Sequence, residues 1–322
     1  MNEKPLIITV PGRICLLGDK VDLLEKPVIA AAVNLLMEIT FIKRNDNKVI
    51  FQSKNIEFTK EFHLTDAADF DHPLKYWSAI LIRLKEHITT GFNAVVNSQI
   101  PIGGGLSSSA ALSVGFIQGL SQLYNIPMNK GQVAELAYIC EHDDLGIMCG
   151  RMDQYAIAFG GVTFIETGSP PSVEQLPIES LPLVVGNSQE ERKAAGILNR
   201  VKKQIQENNP TVIQAFSEIE RIVYAGKKAL LQEDYETIGQ LMNLHQQQED
   251  KLKATTPKIN LLCQESVKAG AFGAKQMGAG GGGAFEAICP GKQENVKATI
   301  EKHGGKTWVC DIYSYQDDRI DL

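Results

Sequence analysis

The sequence has no long hydrophobic run and no paired-cysteine motif. No apolar stretch approaches the roughly 18 residues that a membrane-spanning helix needs, and the apolar part of the opening MNEKPLIITVPGR is too short for the core of a signal peptide. The six cysteines are scattered singly without a C-x-x-C, which argues against a zinc site and against a disulfide framework. A cytoplasmic protein without a membrane partner is therefore expected.

An excess of positive charge is also missing. The net charge is −6 at pH 7, so binding to nucleic acid by general electrostatic attraction is not expected. Hydrophobic residues make up 43% of the 322 residues and charged residues 22%, which favours a sizeable core over disorder. The length fits one large domain or two packed ones.

Strand patterns dominate the first part of the chain, and long amphipathic helix patterns dominate from about residue 187. Helices are also predicted earlier, for PLKYWSAILIRLKEHI, for SAALSVGFIQGLSQLYN and for NKGQVAELAYICEHDDLG. A last strand–helix–strand pattern follows the glycine run near residue 280. The sequence contains neither an internal repeat nor a long linker, and the predicted class is α+β with two packed domains.

The stretch PIGGGLSSSAALSVGF, residues 101–116, joins three glycines and three serines to a helix-forming run. The glycines lack Cβ atoms, so backbone N–H groups are free to approach a ligand, and the following helix adds its positive N-terminal end. The alternative is a glycine turn whose serines, Ser108 and Ser109, cap the helix. Because no lysine follows at Walker A spacing, a phosphate loop here is of another type.

A second glycine-rich stretch is KQMGAGGGGAFEAI, residues 275–288, with five glycines in the six residues from Gly278 to Gly283. Each glycine costs entropy of the unfolded chain. Close approach of the backbone to a ligand therefore explains the run better than a mobile tip between strands.

Charged residues mark the turns of a third stretch, residues 10–33. Arg13, Asp19 and Asp22 lie between apolar strands. A solvated turn accounts for Asp19 and its neighbour Lys20, but not for Arg13, which stands just before an apolar run.

Together the three stretches resemble the GHMP kinase family, named for galacto-, homoserine, mevalonate and phosphomevalonate kinases. PGRICLLGDKVDL is similar to its first motif, PIGGGLSSSAA to its second and GAGGGGAF to its third, in family order over almost the whole chain. The resemblance implies phosphoryl transfer from ATP to a small-molecule hydroxyl in a cleft between two α+β domains. These domains are expected at residues 1–186 and 187–322, the second combining helices with a ferredoxin-like part.

The resemblance also implies which residues hold ATP and magnesium. In the family the second motif wraps the ATP phosphates, a late serine binds Mg²⁺, and a helix glutamate is the second magnesium ligand. Ser109, with Ser108 as its alternative, and Glu141 match those positions, while Asp143 and Asp144 are alternatives to Glu141. The residues expected to bind ATP are Gly103, Gly104, Gly105, Leu106, Ser107, Ser108, Ser109, Gly278, Gly280 and Gly281.

Two further positions are implied to carry the chemistry. CGRMDQYAIAFGG resembles the galactokinase stretch with the catalytic aspartate, which places the base, and an acceptor contact, at Asp153. Arg13 matches the family cation that stabilises the transferring phosphate and faces that aspartate. A planar guanidinium suits phosphate and carboxylate alike, and galactokinase-like enzymes have arginine where mevalonate kinases usually have lysine.

The acceptor-binding residues depart from the galactokinase pattern. Galactokinases usually read G-E-H-T-D in the first motif, and this chain reads Gly18-Asp19-Lys20-Val21-Asp22. Asp19 and Asp22 are expected to bind acceptor hydroxyls, because carboxylates accept such hydrogen bonds. Lys20 either meets an acidic substrate or faces solvent.

The C-terminal half is similar to mevalonate kinases, with Met277 where threonine is common. His245 either lines the acceptor cleft or lies on a helix surface. The leading hypothesis is an ATP- and magnesium-dependent kinase of a sugar, at its anomeric hydroxyl as in galactokinases. Mevalonate kinase is the alternative, followed by an inactive sensor that binds sugar and ATP. The chain is expected to be a monomer or a homodimer.

Overall fold

The computed structural model of the protein describes residues 4–66, 74–191 and 194–315. The strands are β1 (Leu6–Leu17), β2 (Val28–Lys43), β3 (Lys48–Ser53), β4 (Phe58–His63), β5 (Phe92–Ser98), β6 (Val162–Glu166), β7 (Ser172–Leu176), β8 (Leu183–Asn187), β9 (Gly273–Gln276), β10 (Ala284–Ile288) and β11 (Lys306–Val309). The α-helices are α1 (Lys75–Leu84), α2 (Ser108–Leu123), α3 (Lys130–Ile139), α4 (Met152–Phe159), α5 (Ala194–Gln206), α6 (Pro210–Leu231), α7 (Tyr235–Lys251), α8 (Pro257–Lys268) and α9 (Gln293–Lys302).

The first sheet is built on β2, the longest strand among the described residues. β2 pairs antiparallel with β1 from Ile29 to Phe41, with β6 near its start and with β5 near its end. The sheet order is β4-β3-β5-β2-β6-β7, and β3 and β5 run parallel. The register between β1 and β2 shifts between Pro11 and Gly12, just before Arg13.

Helix α2 packs closely on this sheet because two of its glycines remove side-chain bulk. A Cβ at Gly119 would lie 2.1 Å from the ring of Phe41, and one at Gly115 would lie 3.0 Å from Ile39 and Val10. The rings of Phe41, Phe51 and Phe116 fill the space around this contact. Aromatic burial of this kind dominates core energetics, so the position of α2, and of its N-terminus, is firmly set.

The second sheet has the order β11-β8-β10-β9 within the described chain, and all its pairs are antiparallel. Helices α8 and α9 cover one face around Val184, Leu262, Phe285 and Ile300. Helix α7 packs on β9, where a Cβ at Gly239 would lie 2.4 Å from Phe272.

The pairing of the strands divides the chain between β7 and β8. β8 pairs with β10 and β11, so a boundary after residue 186 would cut through a strand of the second sheet. That boundary stays a prediction, and strand pairing favours a division before Leu183. The described end of the chain returns to the first sheet, where Tyr313 N–H donates to Ala32 O at 2.9 Å.

The α+β class predicted from the sequence is confirmed, with strands first and the long helices α5 to α8 later. Within the described ranges, none of the helices combines the length and the apolar character that a membrane crossing requires.

Candidate active site

A cavity of about 550 Å³ lies where both glycine-rich loops meet the turn after β1. Elements distant in sequence contribute to its wall, from the N-terminus of α2 to the start of α4 and helix α5. The predicted site residues that line it are Arg13, Asp22, Gly103, Gly105, Ser107, Ser108, Ser109, Glu141, Asp153 and Gly278.

The first glycine loop takes a conformation that its glycines permit. Gly103 and Gly105 have φ values of 68° and 88°, and Ser107 follows with φ of 57°. Ser107 stands at the N-cap of α2, yet its side chain makes no capping hydrogen bond. The first N–H groups of α2 are therefore not capped by Ser107, and uncapped N–H groups at a positive helix end suit an anion such as phosphate.

Arg13, Asp153 and Ser107 form the centre of the site. Arg13 Nε donates to Asp153 Oδ1 at 2.7 Å, and Arg13 Nη1 donates to the carbonyl of Gly105 at 2.9 Å. The hydroxyl of Ser107 donates to Asp153 Oδ2. The Asp153 side chain remains 28% exposed, whereas that of Arg13 is buried, so the carboxylate is the group that a ligand in the cavity can reach.

Asp22 is half-buried next to this centre, in a short helical turn after β1. Its Oδ2 accepts the N–H of Met152 at 3.4 Å. Burial and the negative charge of Asp153 raise the pKa of Asp22 to about 7. Gly150 leaves room for this carboxyl, since a Cβ there would lie 2.3 Å from Asp22 Oδ2.

Glu141 lies in a π-helical turn, Cys140–Asp144, that continues α3. Its side chain is buried, and its Oε1 has no hydrogen-bond partner. Burial, assisted by the charge of Asp153, raises its pKa to about 7. The alternatives Asp143 and Asp144 do not line the cavity; Asp144 instead pairs with Arg83 on the surface.

Glu141, Ser108 and Ser109 fit a magnesium ion by the chemistry of their donors. Mg²⁺ prefers oxygen ligands and keeps several waters, and the unpartnered oxygen of Glu141 borders the same cavity as the two hydroxyls. Among the residues described, no three His, Cys, Asp or Glu side chains gather as a metal site by themselves. A magnesium ion here would need phosphate oxygens and water among its ligands.

These side chains form the cavity cluster: Arg13, Asp22, Ser107, Glu141 and Asp153. A second group, the buried cluster, lies beneath the other glycine-rich loop. Its members are the fully or almost fully buried side chains of Asp19, Lys20, His245, Glu249, Lys275 and Glu286.

Lys275 holds the centre of the buried cluster. Its Nζ donates to Asp19 Oδ2 at 2.6 Å and to the carbonyl of Cys15 at 2.8 Å, and it lies 3.4 Å from Glu286 Oε1. Burial opposes the charge of Asp19, but the cation of Lys275 outweighs it and lowers the pKa of Asp19. Asp19 also accepts the N–H of Gly278, and it does not line the cavity. The structure thus places this predicted acceptor ligand under the loop.

Lys20 does not face solvent. Its side chain is 1% exposed, and its Nζ lies 2.7 Å from Glu249 Oε2 and 2.7 Å from the carbonyl of Gly278. Burial removes the solvation that an ammonium group needs, and the glutamate on α7 replaces it.

His245 is fully buried, so it does not lie on the helix surface, and it does not line the cavity either. Burial and the nearby charge of Lys275 lower its pKa to about 3. The ring is accordingly neutral, and its Nε2 accepts the N–H of Gly18 at 3.2 Å.

The glycines of the second loop serve its own conformation and packing. Gly278, Gly280 and Gly281 have φ values of 72°, 84° and 75°. A Cβ at Gly280 would lie 2.2 Å from the carbonyl of Ala254, and Gly281 N–H donates to the same carbonyl at 2.8 Å. Gly278 lines the cavity, but Gly280 and Gly281 do not. Close packing against protein explains Gly280, and the positive φ of Gly281 favours glycine at the next position.

Comparison with known proteins identifies the family. The family model of the GHMP kinases N terminal domain matches residues 75–161, and that of the GHMP kinases C terminal domain matches residues 227–306. A mevalonate kinase from Pyrococcus furiosus is 30% identical over 324 residues, an alignment that covers 95% of this chain and 96% of that protein. The chain belongs to the GHMP kinase family. It is a phosphotransferase that acts on a hydroxyl group, and the family uses ATP as the phosphate donor.

Relatives of this GHMP kinase include sugar kinases. The D-glycero-alpha-D-manno-heptose 7-phosphate kinase of Campylobacter jejuni is 28% identical over 292 residues, which cover 86% of each chain. The crystal structure of Lactococcus lactis galactokinase complexed with galactose superposes with a TM-score of 0.84 at 22% identity, covering 97% of this chain and 95% of that one. At this level of identity, the superposition shows that the two proteins share a fold.

Sequence reasoning missed three charged residues that this GHMP kinase buries, which are Glu249, Lys275 and Glu286. Two of them carried a signal, because Lys275 and Glu286 are charged residues inside short strands, GAKQ and AFEAI. They are cross-strand partners in the β9–β10 register. If the two strands are assumed to form a hairpin, opposite charges on them predict such an ion pair.

Proposed function

We propose that this protein is an ATP-dependent sugar kinase, and that it transfers the γ-phosphate to a hydroxyl of a neutral sugar. The observation that supports a sugar is that two acidic side chains line one part of the cavity, which we take as the site of the acceptor. Asp22 and Asp153 both line it, next to Gly150 and Met152. Carboxyl groups bind hydroxyls, often in pairs, as a polyol requires.

An acceptor with its own carboxylate fits this surface poorly. Of the described residues around the cavity, the cationic ones are Arg13 and Lys20. Arg13 is paired with Asp153 and Lys20 with Glu249. The carboxylate of mevalonate would thus face Asp153 and the partly ionised Asp22 without an unpaired cation among these residues, and like charges at close range oppose binding.

In the proposed reaction Asp153 accepts the proton of the acceptor hydroxyl. The oxygen of that hydroxyl forms a bond to the γ-phosphorus of ATP as the bond to the β-phosphate oxygen breaks, and ADP leaves. Arg13 stabilises the charge of the transferring group and holds Asp153 in place. Such reactions need positioning and charge neutralisation more than covalent chemistry from the protein.

The nucleotide phosphates are proposed to lie on the first glycine loop, from Gly103 to Ser109. Its positive-φ backbone and the uncapped start of α2 offer N–H groups to the phosphates. Ser108, Ser109 and Glu141 would hold Mg²⁺, which supplies charge neutralisation at the phosphate oxygens when bound.

Mevalonate is the second candidate acceptor. The relative from Pyrococcus furiosus is a mevalonate kinase and aligns over almost the whole chain. A catalytically inactive sensor is a weaker alternative, since this chain retains Asp153, Glu141, Ser108 and Ser109 around one cavity.

An acceptor panel tests the proposal. Purified protein with ATP and Mg²⁺ is incubated with galactose, other neutral hexoses and heptoses, a uronic acid and mevalonate, and ADP release is followed. Turnover of a neutral sugar is expected, and carbon–phosphorus coupling in the NMR spectrum of the product locates the phosphate, with the anomeric carbon expected. Turnover of mevalonate and of no sugar would overturn the sugar assignment. No ADP release with any acceptor would favour a sensor.

A further inference from the structure

The backbone of Ser107 lies in a region that favours glycine. Its φ of 57° and ψ of 48° are left-handed, a conformation that costs an ordinary residue energy because Cβ approaches the carbonyl oxygen. Glycine would adopt it freely. A serine here therefore destabilises the loop relative to glycine, and its side chain is the feature that glycine would lack.

That side chain is diverted from the usual task of a serine before a helix. A serine at an N-cap normally accepts a hydrogen bond from the N–H of the second or third helical residue. Ser107 makes no such bond, and its hydroxyl donates to Asp153 Oδ2 across 46 residues of sequence. The conformation of Ser107 thus has two consequences. Its hydroxyl orients Asp153, and the first turn of α2 is not capped by its side chain.

We infer that the side chain of Ser107 positions Asp153, and that its hydroxyl is not a phosphate ligand. Arg13 holds Oδ1 and Ser107 holds Oδ2, so the plane of the carboxylate is fixed from both sides. Each carboxylate oxygen accepts more than one hydrogen bond, which leaves lone pairs on the exposed side of Asp153 for the acceptor hydroxyl. The inference rests on the proposed role of Asp153 as the base.

Ser107→Gly separates this role from a structural one. Loss of the hydroxyl is expected to lower kcat about 10- to 100-fold, because small misplacement of a reacting group has effects of that size. The KM for ATP is expected to change less than about twofold. Removing the left-handed strain is expected to leave the thermal midpoint equal to or above that of the wild type. Activity would then fall without any loss of stability, which a merely structural serine does not produce.

Matched variants complete the experiment. Glu233→Gly relieves a similar φ of 54° in the turn between α6 and α7, far along the chain from the site, and is expected to keep wild-type kcat. Ser107→Ala retains the strain and lacks the hydroxyl, so it is expected to lose activity and stability together. The double variant Ser107→Gly/Asp153→Asn is expected to be no slower than Asp153→Asn, because residues that act as a unit are not additive.

The readouts are steady-state kinetics with the best acceptor of the panel, with D-galactose as the first probe, and thermal unfolding. An unchanged kcat in Ser107→Gly, with Asp153→Asn inactive, overturns the inference and leaves the proposed function standing. A raised KM for ATP at unchanged kcat also overturns it, in favour of a phosphate contact. Undiminished turnover in Asp153→Asn contradicts the proposed base itself.

Discussion

The cavity cluster and the buried cluster both pair acidic side chains with cations, and they differ in access, although Lys20 of the buried cluster also borders the cavity. Burial raises the pKa of Glu141 in the first and of Glu286 in the second to about 7. Each of these glutamates has an oxygen without a hydrogen-bond partner. Glu141 borders the cavity, whereas Glu286 is 0% exposed on a central strand of the second sheet. A raised pKa alone therefore does not identify the reactive residues of this protein. The group must also border the cavity, where a ligand can reach it.

The second difference concerns what each cluster connects. The cavity cluster joins β1, the start of α2 and the start of α4 around open space. The buried cluster joins the turn after β1 to α7 and to the β9–β10 hairpin through direct ion pairs. We therefore expect variants in the cavity cluster to change rates, and variants in the buried cluster to change stability.

Asp153→Asn gives the sharpest test on the cavity side. Asparagine keeps the shape but cannot accept the proton, so kcat is expected to fall about 10³-fold, the middle of the range for general acid–base groups. ATP binding, measured by calorimetry, is expected to persist. The control is Asp46→Asn, which breaks an exposed pair with Arg44 and is expected to leave kcat unchanged. Comparable losses in both variants would contradict the comparison.

Lys275→Met tests the buried side. The substitution leaves Asp19 and Glu286 without their cation in a fully buried site, and breaking such a pair typically costs about 3–5 kcal/mol of the free energy of unfolding. Urea unfolding measures the change. Lys48→Met, which removes the cation of an exposed pair with Glu61, is expected to have little effect. A Lys275→Met protein of wild-type stability would show that the buried cluster does not stabilise the fold.

Glu286→Gln tests the buried cluster through the pH dependence of the free energy of unfolding, with a smaller expected effect. Because its pKa is about 7 in the folded protein and about 4.3 in an unfolded chain, the folded protein retains a proton that the unfolded chain releases. The stability linked to this group is complete below about pH 4 and is lost as pH rises to about 7. Glutamine removes that loss, so the variant is expected to gain about 2–3 kcal/mol on the wild type between pH 4.5 and pH 8.

Urea unfolding at the two pH values provides the measurement for Glu286→Gln. Glu61 is the control, because the hydrogen bond from Lys48 lowers its pKa. Glu61→Gln is expected to differ from the wild type by nearly the same amount at both pH values, because the lowered pKa of this exposed group places its proton exchange below pH 4.5. Equal pH profiles for Glu286→Gln and the wild type would mean that Glu286 carries its charge in the folded protein.

Local sequence predicted those features whose causes are local. The helix of residues 108–123 follows from its apolar pattern, the early strands follow from the strand patterns of the first part of the chain, and both glycine loops follow from composition. The approach of Arg13 to Asp153, expected from the family resemblance, corresponds to a 2.7 Å contact. These features depend on backbone propensity or on motifs with a fixed order.

Sequence misjudged the residues whose surroundings come from distant segments. A surface position was one alternative for Lys20 and for His245, but Glu249 lies beside the first and Gly18 beside the second in the buried interior. Asp19 resembles an acceptor ligand until Lys275, 256 residues away in sequence, occupies its carboxylate. Gly280 was expected to contact a ligand, but the carbonyl of Ala254 occupies the space beside it.

The sequence alone therefore determined the class of the fold, the family and the kind of reaction. Hydrophobic periodicity and glycine placement act over a few residues, and a one-dimensional pattern records them. Only the tertiary structure decided which charged side chains face the cavity and which are sealed beneath a loop. Burial and pairing depend on what packs against a residue from elsewhere in the chain, and Ser107 became a partner of Asp153 because two helix starts meet at one point.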